Sequence, residues 1–150
     1  YLNLALNLAK NMEGLTGTNP SVGSVLVKND EVISLASTGY NGTPHSEFSL
    51  LNKIDKKIAK DSSLYVTLEP CSHYGKTPPC TNIIIDKKIS RLVFGAHDID
   101  ERSSKKAKQV LKSKKVKVLN VNVPTITEFY KPYIFQRKYK RPYVIGKIAC

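Results

Sequence analysis

Four residues in two short stretches of the chain have side chains that could carry out metal-assisted chemistry. His45 and Glu47 lie two positions apart in "PHSE", and Cys71 and Cys80 begin and end "CSHYGKTPPC". One imidazole and two thiolates are typical ligands of a tetrahedral zinc ion, and they leave the fourth position for water. Bound zinc lowers the pKa of that water towards neutrality. Glu47, which is not needed as a ligand, could take the water's proton and deliver it to a substrate nitrogen.

The combined pattern is more specific than either pair of residues alone. The signature H-x-E followed by P-C-x-x-C is typical of zinc deaminases. Its first parts match at residues 45–47 and 70–71, whereas Cys80 comes after eight intervening residues rather than two. The pattern therefore predicts a catalytic zinc site. The alternative is a structural zinc site, which His73 could close as a fourth ligand.

Two further titratable residues lie near the ends of predicted strands, Glu69 within the last residues of one and His97 just past another. For Glu69 we expect a structural hydrogen bond to a nearby backbone N–H rather than a catalytic role. For His97 the sequence offers no partner, and we expect a solvated loop residue. Cys150 is the last residue of the sequence, and we assign it no role.

Apolar periodicity and turn-forming residues predict the elements that position these side chains. A helix is expected over 2–12, followed by two strands that turn at Asn29-Asp30. Helices then alternate with the strands "SLYVTLEP", "RLVFGA" and "VKVLNV", and the helical stretch "TITEFYKPYIFQRK" is interrupted at Pro132. This order predicts an α/β fold, a three-layer α-β-α sandwich with helices on both faces of a mixed sheet. The last stretch, "RPYVIGKIA", is expected to form one more strand.

Length and composition indicate one globular domain. The chain has 150 residues, of which 41% are hydrophobic, and no apolar run is long enough to cross a membrane. Polar residues interrupt the opening helix, so we expect no signal peptide and a cytoplasmic protein. In a reducing cytoplasm, a close cysteine pair beside a histidine indicates a metal or catalytic site rather than a disulfide.

The net charge of +12, from 24 Lys and Arg against 12 Asp and Glu, is open to three interpretations. It could attract a nucleic acid, or an anionic small substrate such as a phosphate ester. It could also reflect a lysine-rich solvated surface, because the densest stretch, Lys105–Lys117, is typical of an exposed helix face. We favour the third interpretation.

Four stretches of the chain resemble, in the same order, the deaminase domain of the RibD family of riboflavin biosynthesis proteins. They are "TNPSVGSVLV", "GTPHSE", "LYVTLEPCSHYGKTPPCTNII" and "RPYVIGKIA", and the long loop between the two cysteines is the most specific part. The resemblance implies the α-β-α sandwich of the cytidine deaminase superfamily. It also implies zinc-dependent hydrolytic deamination of 2,5-diamino-6-ribosylamino-4(3H)-pyrimidinone 5′-phosphate, in which Glu47 protonates a ring nitrogen and then the departing amine.

The family's motifs imply a role for each matching residue. The catalytic residue is Glu47, and the zinc ligands are His45, Cys71 and Cys80. The substrate contacts are Asn19, His73, Lys76 and Thr77. Within that set, the lysine is a point-charge partner for the ribose phosphate.

The chain departs from the family pattern in three places. The usual His-Ala-Glu is His-Ser-Glu at residues 45–47, and Thr38 stands where the family usually has a histidine that contacts the substrate. After Asp98, "DIDERSSKKA" replaces the usual Asp-Pro-Asn-Pro segment, which commonly borders the site. These changes keep the metal ligands and alter the substrate side of the expected pocket.

Many family members carry the deaminase fused to a C-terminal, NADPH-dependent reductase. We assign residues 1–140 to the zinc-dependent deaminase domain and residues 141–150 to the start of a reductase domain that is otherwise absent from the sequence. NADPH is expected only together with that domain. The resemblance further implies a phosphorylated pyrimidine as the small-molecule partner, a homodimer or homotetramer, and neither a nucleic acid nor a membrane as a partner.

Two other functions stay open on the sequence. A deaminase of a tRNA base would use the same metal chemistry and would suit the basic charge, although the chain lacks an evident aromatic platform for stacking bases. A zinc-stabilised binding module without activity is the second alternative, and the intact Glu47 argues against it.

Overall fold

The computed structural model describes residues 1–75, 77–100, 106–146 and 148. The strands are β1 (Gly23–Lys28), β2 (Glu31–Ser37), β3 (Ser63–Leu68), β4 (Arg91–Ala96) and β5 (Lys117–Asn120). The helices are α1 (Leu2–Lys10), α2 (Ser46–Leu51), α3 (Lys56–Ala59), α4 (Cys80–Asp86), α5 (Lys106–Ser113), α6 (Pro124–Phe129) and α7 (Lys131–Tyr139). A single 3-10 turn, Tyr40–Gly42, precedes α2. No helix in these ranges is both long enough and apolar enough to cross a membrane.

Local sequence explains the first elements. In α1 the buried residues Leu2, Ala5, Leu6 and Ala9 follow the helical repeat and form one apolar stripe. The hairpin between β1 and β2 turns at Asn29 and Asp30, which both have positive φ angles. Asparagine and aspartate tolerate this left-handed conformation better than most residues, so a two-residue turn forms there as predicted.

The five strands form one mixed sheet in the order β2-β1-β3-β4-β5. β1 is antiparallel to both β2 and β3, whereas β3, β4 and β5 are parallel to one another. The carboxyl ends of β3 and β4 therefore lie at the same end of the sheet. Antiparallel pairing brings the start of β1 to that end, because Ser24 lies opposite Val66 near the end of β3. Loops that are distant in sequence consequently meet at this end.

Alternating side chains along β1 show that helices cover both faces of the sheet. On one face, a Cβ added at Gly23 would lie only 1.8 Å from the Ala5 carbonyl oxygen of α1. On the opposite face, the Ser24 hydroxyl is hydrogen bonded to the Ser46 hydroxyl of α2 (2.6 Å). The predicted three-layer α-β-α sandwich with a mixed sheet is confirmed.

The C-terminal part agrees with one expectation and contradicts another. α6 and α7 meet at Tyr130, and Pro132 lies in the first turn of α7, where its missing N–H breaks no helical hydrogen bond. The prediction of a strand over "RPYVIGKIA" is wrong for the part that the structure describes, since residues 142–146 and 148 lie in no helix or strand. A strand needs a hydrogen-bonded neighbour, and residues 142–146 pair with no strand of the described sheet.

Candidate metal centre and active-site pocket

The three predicted zinc ligands meet at the end of the sheet where β3 and β4 finish. His45 is the residue that precedes α2, Cys71 follows β3, and Cys80 is the first residue of α4. Pro79 precedes that helix, where a missing N–H is harmless. His45 and Cys80 are thus held at the starts of helices. The N–H groups at a helix start stabilise the negative charge of a thiolate such as that of Cys80.

The geometry of the three donors suits a zinc ion. The donor atoms all lie within 4.8 Å of one another. His45 Nδ1 is 3.6 Å from Cys71 Sγ and 3.4 Å from Cys80 Sγ. Tetrahedral zinc with normal bond lengths would separate a nitrogen and a sulfur ligand by about 3.6 Å. The three side chains can therefore hold zinc in place with little movement.

The charges in this cluster also suit a cation. Both cysteines are free thiols, as expected from the sequence. The contact with the Cys80 side chain, aided by His45, lowers the pKa of Cys71 to about 4, and Cys80 N–H donates a hydrogen bond to Cys71 Sγ (3.2 Å). The hydrogen bond to Cys71 raises the pKa of His45 to about 9, and the neighbouring Cys71 thiolate raises that of the Cys80 thiol. A metal ion would displace these protons and neutralise the thiolates.

Glu47 lies in the first turn of α2 beside the three donors and is 4% exposed. Burial, together with the negative charge of Cys71, raises the pKa of its carboxyl group above the usual range. The Ser46 hydroxyl donates a hydrogen bond to Glu47 Oε2 (3.1 Å). A buried carboxyl group with a raised pKa is suited to accept a proton and to return it.

A cavity of about 370 Å³ lies over this cluster, and several predicted substrate contacts line it. Asn19, His73 and Thr77 are among the lining residues. Asn19 Nδ2 donates a hydrogen bond to the carbonyl oxygen of Gly42 (3.0 Å), which ties its loop to the segment before α2. Lys76 lies outside the described residues.

Thr38, which replaces the family's usual histidine, lines the same cavity but is 2% exposed. Its Oγ1 accepts a hydrogen bond from Val22 N–H (2.9 Å), and its own N–H donates to the Val22 carbonyl oxygen (2.8 Å). Thr38 therefore holds the backbone that enters β1.

One wall of the cavity comes from α7, which the sequence did not assign to the site. Tyr133 and Arg137 line the cavity together with Asp98 and Asp100. The Tyr133 hydroxyl donates to Asp98 Oδ1 (3.2 Å), and Arg137 Nη2 donates to Asp100 Oδ2 (3.0 Å). The four-residue spacing of Tyr133 and Arg137 puts them on one helix face, but nothing in the sequence shows that this face meets the 98–100 loop.

The structure shows a contact between His97 and Glu69 that the sequence did not predict. His97 Nδ1 lies 2.8 Å from Glu69 Oε2, and the Glu69 side chain is fully buried. The imidazole also makes an edge-to-face contact with the Phe94 ring. His97 therefore has a partner in Glu69, which the sequence did not show, while its side chain is 42% exposed, as expected for a solvated loop residue. Parallel pairing of β3 and β4 brings the two together, because each residue follows the end of its strand.

Comparison with known proteins agrees with this site. Residues 1–96 match the family model of the cytidine and deoxycytidylate deaminase zinc-binding region. The chain is 39% identical to riboflavin biosynthesis protein RibD of Aquifex aeolicus over 99% of its own length and 42% of that protein. It is 37% identical to the diaminohydroxyphosphoribosylamino-pyrimidine deaminase of Buchnera aphidicola over 79% of its own length and 80% of that protein.

Comparison with solved structures also identifies RibD proteins as similar. RibD of Acinetobacter baumannii superposes with a TM-score of 0.86 at 30% identity, over 95% of this chain and 40% of that one. The chain thus spans about two fifths of the length of these RibD relatives. The zinc-binding family match and the cluster of His45, Cys71 and Cys80 confirm zinc as the expected metal. The chain belongs to the family of zinc-binding cytidine and deoxycytidylate deaminases and, within it, to the deaminases of RibD type.

Proposed function

We propose that this chain catalyses the zinc-dependent hydrolytic deamination of 2,5-diamino-6-ribosylamino-4(3H)-pyrimidinone 5′-phosphate in riboflavin biosynthesis. The observation that supports this most is the position of Glu47. It is a buried acid with a raised pKa beside three metal donors, at a cavity wide enough for a small substrate. The names of the RibD relatives and of the Buchnera aphidicola deaminase supply the pathway and the substrate class.

The metal would be held by His45 Nδ1 and the two sulfur atoms of Cys71 and Cys80. When bound, zinc supplies an activated water molecule at neutral pH. The described residues provide three donors at this site, and His45 and Cys71 line the cavity, so a bound zinc would have a fourth position left for water.

Glu47 would move the protons of the reaction. Its carboxylate takes a proton from the attacking water and delivers it to the ring nitrogen next to the reacting carbon. Glu47 would then take the proton of the hydroxyl group added to the ring carbon and give it to the exocyclic amino group, which leaves as ammonia while the carbon–oxygen bond becomes a carbonyl. The 4% exposure of Glu47 limits exchange of these protons with bulk water.

The substrate would be bound by residues of two loops. Asn19 would hydrogen bond the base, and His73 and Thr77 would contact the ring and the ribose. Lys76, between them in sequence, would pair with the phosphate as a point charge. In the loop that carries His73 and Thr77, Gly75 N–H donates a hydrogen bond to the Thr77 carbonyl oxygen (3.2 Å).

Further features of the whole protein belong to the same proposal. Residues 141–150 would begin a reductase domain that uses NADPH, and the greater length of the RibD relatives supports this. The protein would act in the cytoplasm as a homodimer or homotetramer.

The proposal is tested by measuring zinc content and ammonia release on one purified sample supplied with the diaminopyrimidine ribosyl phosphate. We expect about one zinc per chain and ammonia release. Glu47→Gln should reduce the rate about a hundredfold or more while zinc content stays the same, because the amide cannot shuttle protons. Glu128→Gln, at an exposed ion pair with Lys131, is the matched control and should keep full activity.

Three other outcomes would favour a different substrate, a different proton-transferring residue or a protein without activity. Zinc without ammonia release, together with deamination of a tRNA base, would favour a nucleic-acid deaminase. Full activity of Glu47→Gln would show that another group transfers the proton. Zinc without turnover of either substrate would favour the binding module without activity.

A further inference from the structure

The residue between His45 and Glu47 is unusual for the family pattern and is placed where it can act on Glu47. Ser46 is fully buried, with 0% of its surface exposed. Its hydroxyl oxygen lies 3.1 Å from Glu47 Oε2 and 2.6 Å from the hydroxyl oxygen of Ser24. An alanine, which the family pattern usually has at this position, could make neither contact.

The number of available protons decides which group donates in each of these hydrogen bonds. The Ser46 hydroxyl donates to Glu47 Oε2, and each serine hydroxyl has a single proton to donate. The contact with Ser24 therefore uses the Ser24 proton and a lone pair of Ser46. The direction of this chain of hydrogen bonds is Ser24 to Ser46 to Glu47.

The anchor of this chain is rigid. Ser24 is in β1, where it pairs with Ala36 of β2 and with Val66 of β3, and it is fully buried. β1 therefore has neighbours on both sides, and a side chain on it has little freedom to shift. The last torsion of a glutamate side chain, by contrast, has no sharp minimum, so an external hydrogen bond decides how the carboxylate is oriented.

We propose that Ser46 is a positioning residue that orients the Glu47 carboxylate for proton transfer, with Ser24 as its anchor on the sheet. This inference rests on the proposed function, in which Glu47 moves the protons. A hydrogen bond to a carboxylate is stronger than one between neutral groups, so the Ser46 hydroxyl adds to the contacts of Glu47 with its own backbone N–H and with Cys80 in favouring one orientation. The effect belongs to the chemical step and not to substrate binding, because neither serine lines the cavity.

The kinetic test compares Ser46→Ala, Ser24→Ala and the double variant with the zinc-loaded wild-type chain in the ammonia-release assay. Ser46→Ala should lower kcat about tenfold, the size of one charge-assisted hydrogen bond, with KM unchanged. Ser24→Ala should lower kcat less. The double variant should match Ser46→Ala alone, since Ser24 acts only through Ser46. Ser49→Ala, in the same helix and outside the cavity, is the matched control and should leave both constants unchanged.

The proposal would be overturned if Ser46→Ala kept kcat within about twofold of wild type, below the effect of one hydrogen bond. It would also be overturned if the effects of the two single variants multiplied in the double variant. A rise in KM equal to the fall in kcat would instead place Ser46 in substrate binding, against the proposal.

A second measurement does not depend on turnover. The infrared band of the Glu47 carboxylate can be isolated at mildly alkaline pH by subtracting the spectrum of zinc-loaded Glu47→Gln from that of zinc-loaded wild type. Removing its hydrogen-bond donor in Ser46→Ala should shift this band, whereas Ser49→Ala should not. An unshifted band would contradict the contact. If the wild-type chain released no ammonia, the proposed function would fail, and the infrared comparison would still decide whether Ser46 holds Glu47.

Discussion

At the scale of single residues, the site depends on polar side chains that are held by specific contacts. Glu47 and Glu69 are buried and contact Ser46 and His97, whereas Asn19 is exposed and is tied to the carbonyl oxygen of Gly42. A buried polar group without a partner loses its hydration without compensation, so the contacts of the two glutamates restrict where their side chains can lie. The chemistry proposed for the cavity uses side chains whose positions are already restricted.

Asn19→Ala tests the proposed contact between this loop and the base of the substrate. We expect KM to rise about three- to tenfold with a smaller change in kcat, because one uncharged hydrogen bond is lost in the bound state. Steady-state ammonia release measures both constants. Asn52→Ala, at the exposed end of α2, is the control and should behave like wild type. An unchanged KM for Asn19→Ala would remove Asn19 from the substrate contacts.

At the scale of elements, α7 has a role that its position in sequence does not suggest. Tyr133 and Arg137 reach the loop after β4 and hold Asp98 and Asp100 at the wall of the cavity. Asp100 N–H also donates to Asp98 Oδ1 (3.1 Å), which closes a tight turn. The support from α7 therefore reaches the described start of the loop that follows β4, which lines the cavity.

Arg137→Met tests the support that α7 gives to this loop. The methionine keeps an apolar stem but removes the contact with Asp100, so the wall should loosen and KM should rise about two- to tenfold, as for one partly exposed ion pair. kcat should change less, since the loop supplies no proposed metal ligand or proton donor. Arg141→Met is the control, because Arg141 is exposed and does not line the cavity. A fall in kcat without a change in KM would show that the loop acts on the chemical step.

At the scale of the whole molecule, one zinc site would connect three parts of the chain that are distant in sequence. Its donors come from the start of α2, the loop after β3 and the start of α4. The unfolded chain has no such arrangement, so zinc binds the folded state preferentially and stabilises it. Metal binding should therefore affect the stability of the domain as well as its activity.

Removal of zinc by a chelator should lower the melting temperature of the wild-type chain by about 5–10 °C, as for a ligand present at about a hundred times its dissociation constant. Thermal unfolding with and without the chelator measures the shift. Cys80→Ser, which lacks one donor, should start from a lower melting temperature and respond much less to the chelator. Equal responses of the two proteins would mean that Cys80 does not bind the metal.

The sequence by itself determined the features that depend on residue type and on short spacings. His45, Glu47, Cys71 and Cys80 could be selected because few other residue types bind zinc or shuttle protons. The strands and most helices could be predicted because a buried face imposes a local repeat on the sequence. The RibD resemblance is confirmed by the family match and by the relatives.

Only the tertiary structure decided which side chains meet across the sheet. The contacts of Ser24 with Ser46, Glu69 with His97, and Arg137 with Asp100 join residues 22, 28 and 37 positions apart. Such contacts follow from the strand order and from the packing of α7, neither of which leaves a local pattern in the sequence. For the same reason the strand predicted near the C-terminus does not form in the described residues: its composition suits a strand, but a strand exists only where a partner strand is available to pair with it.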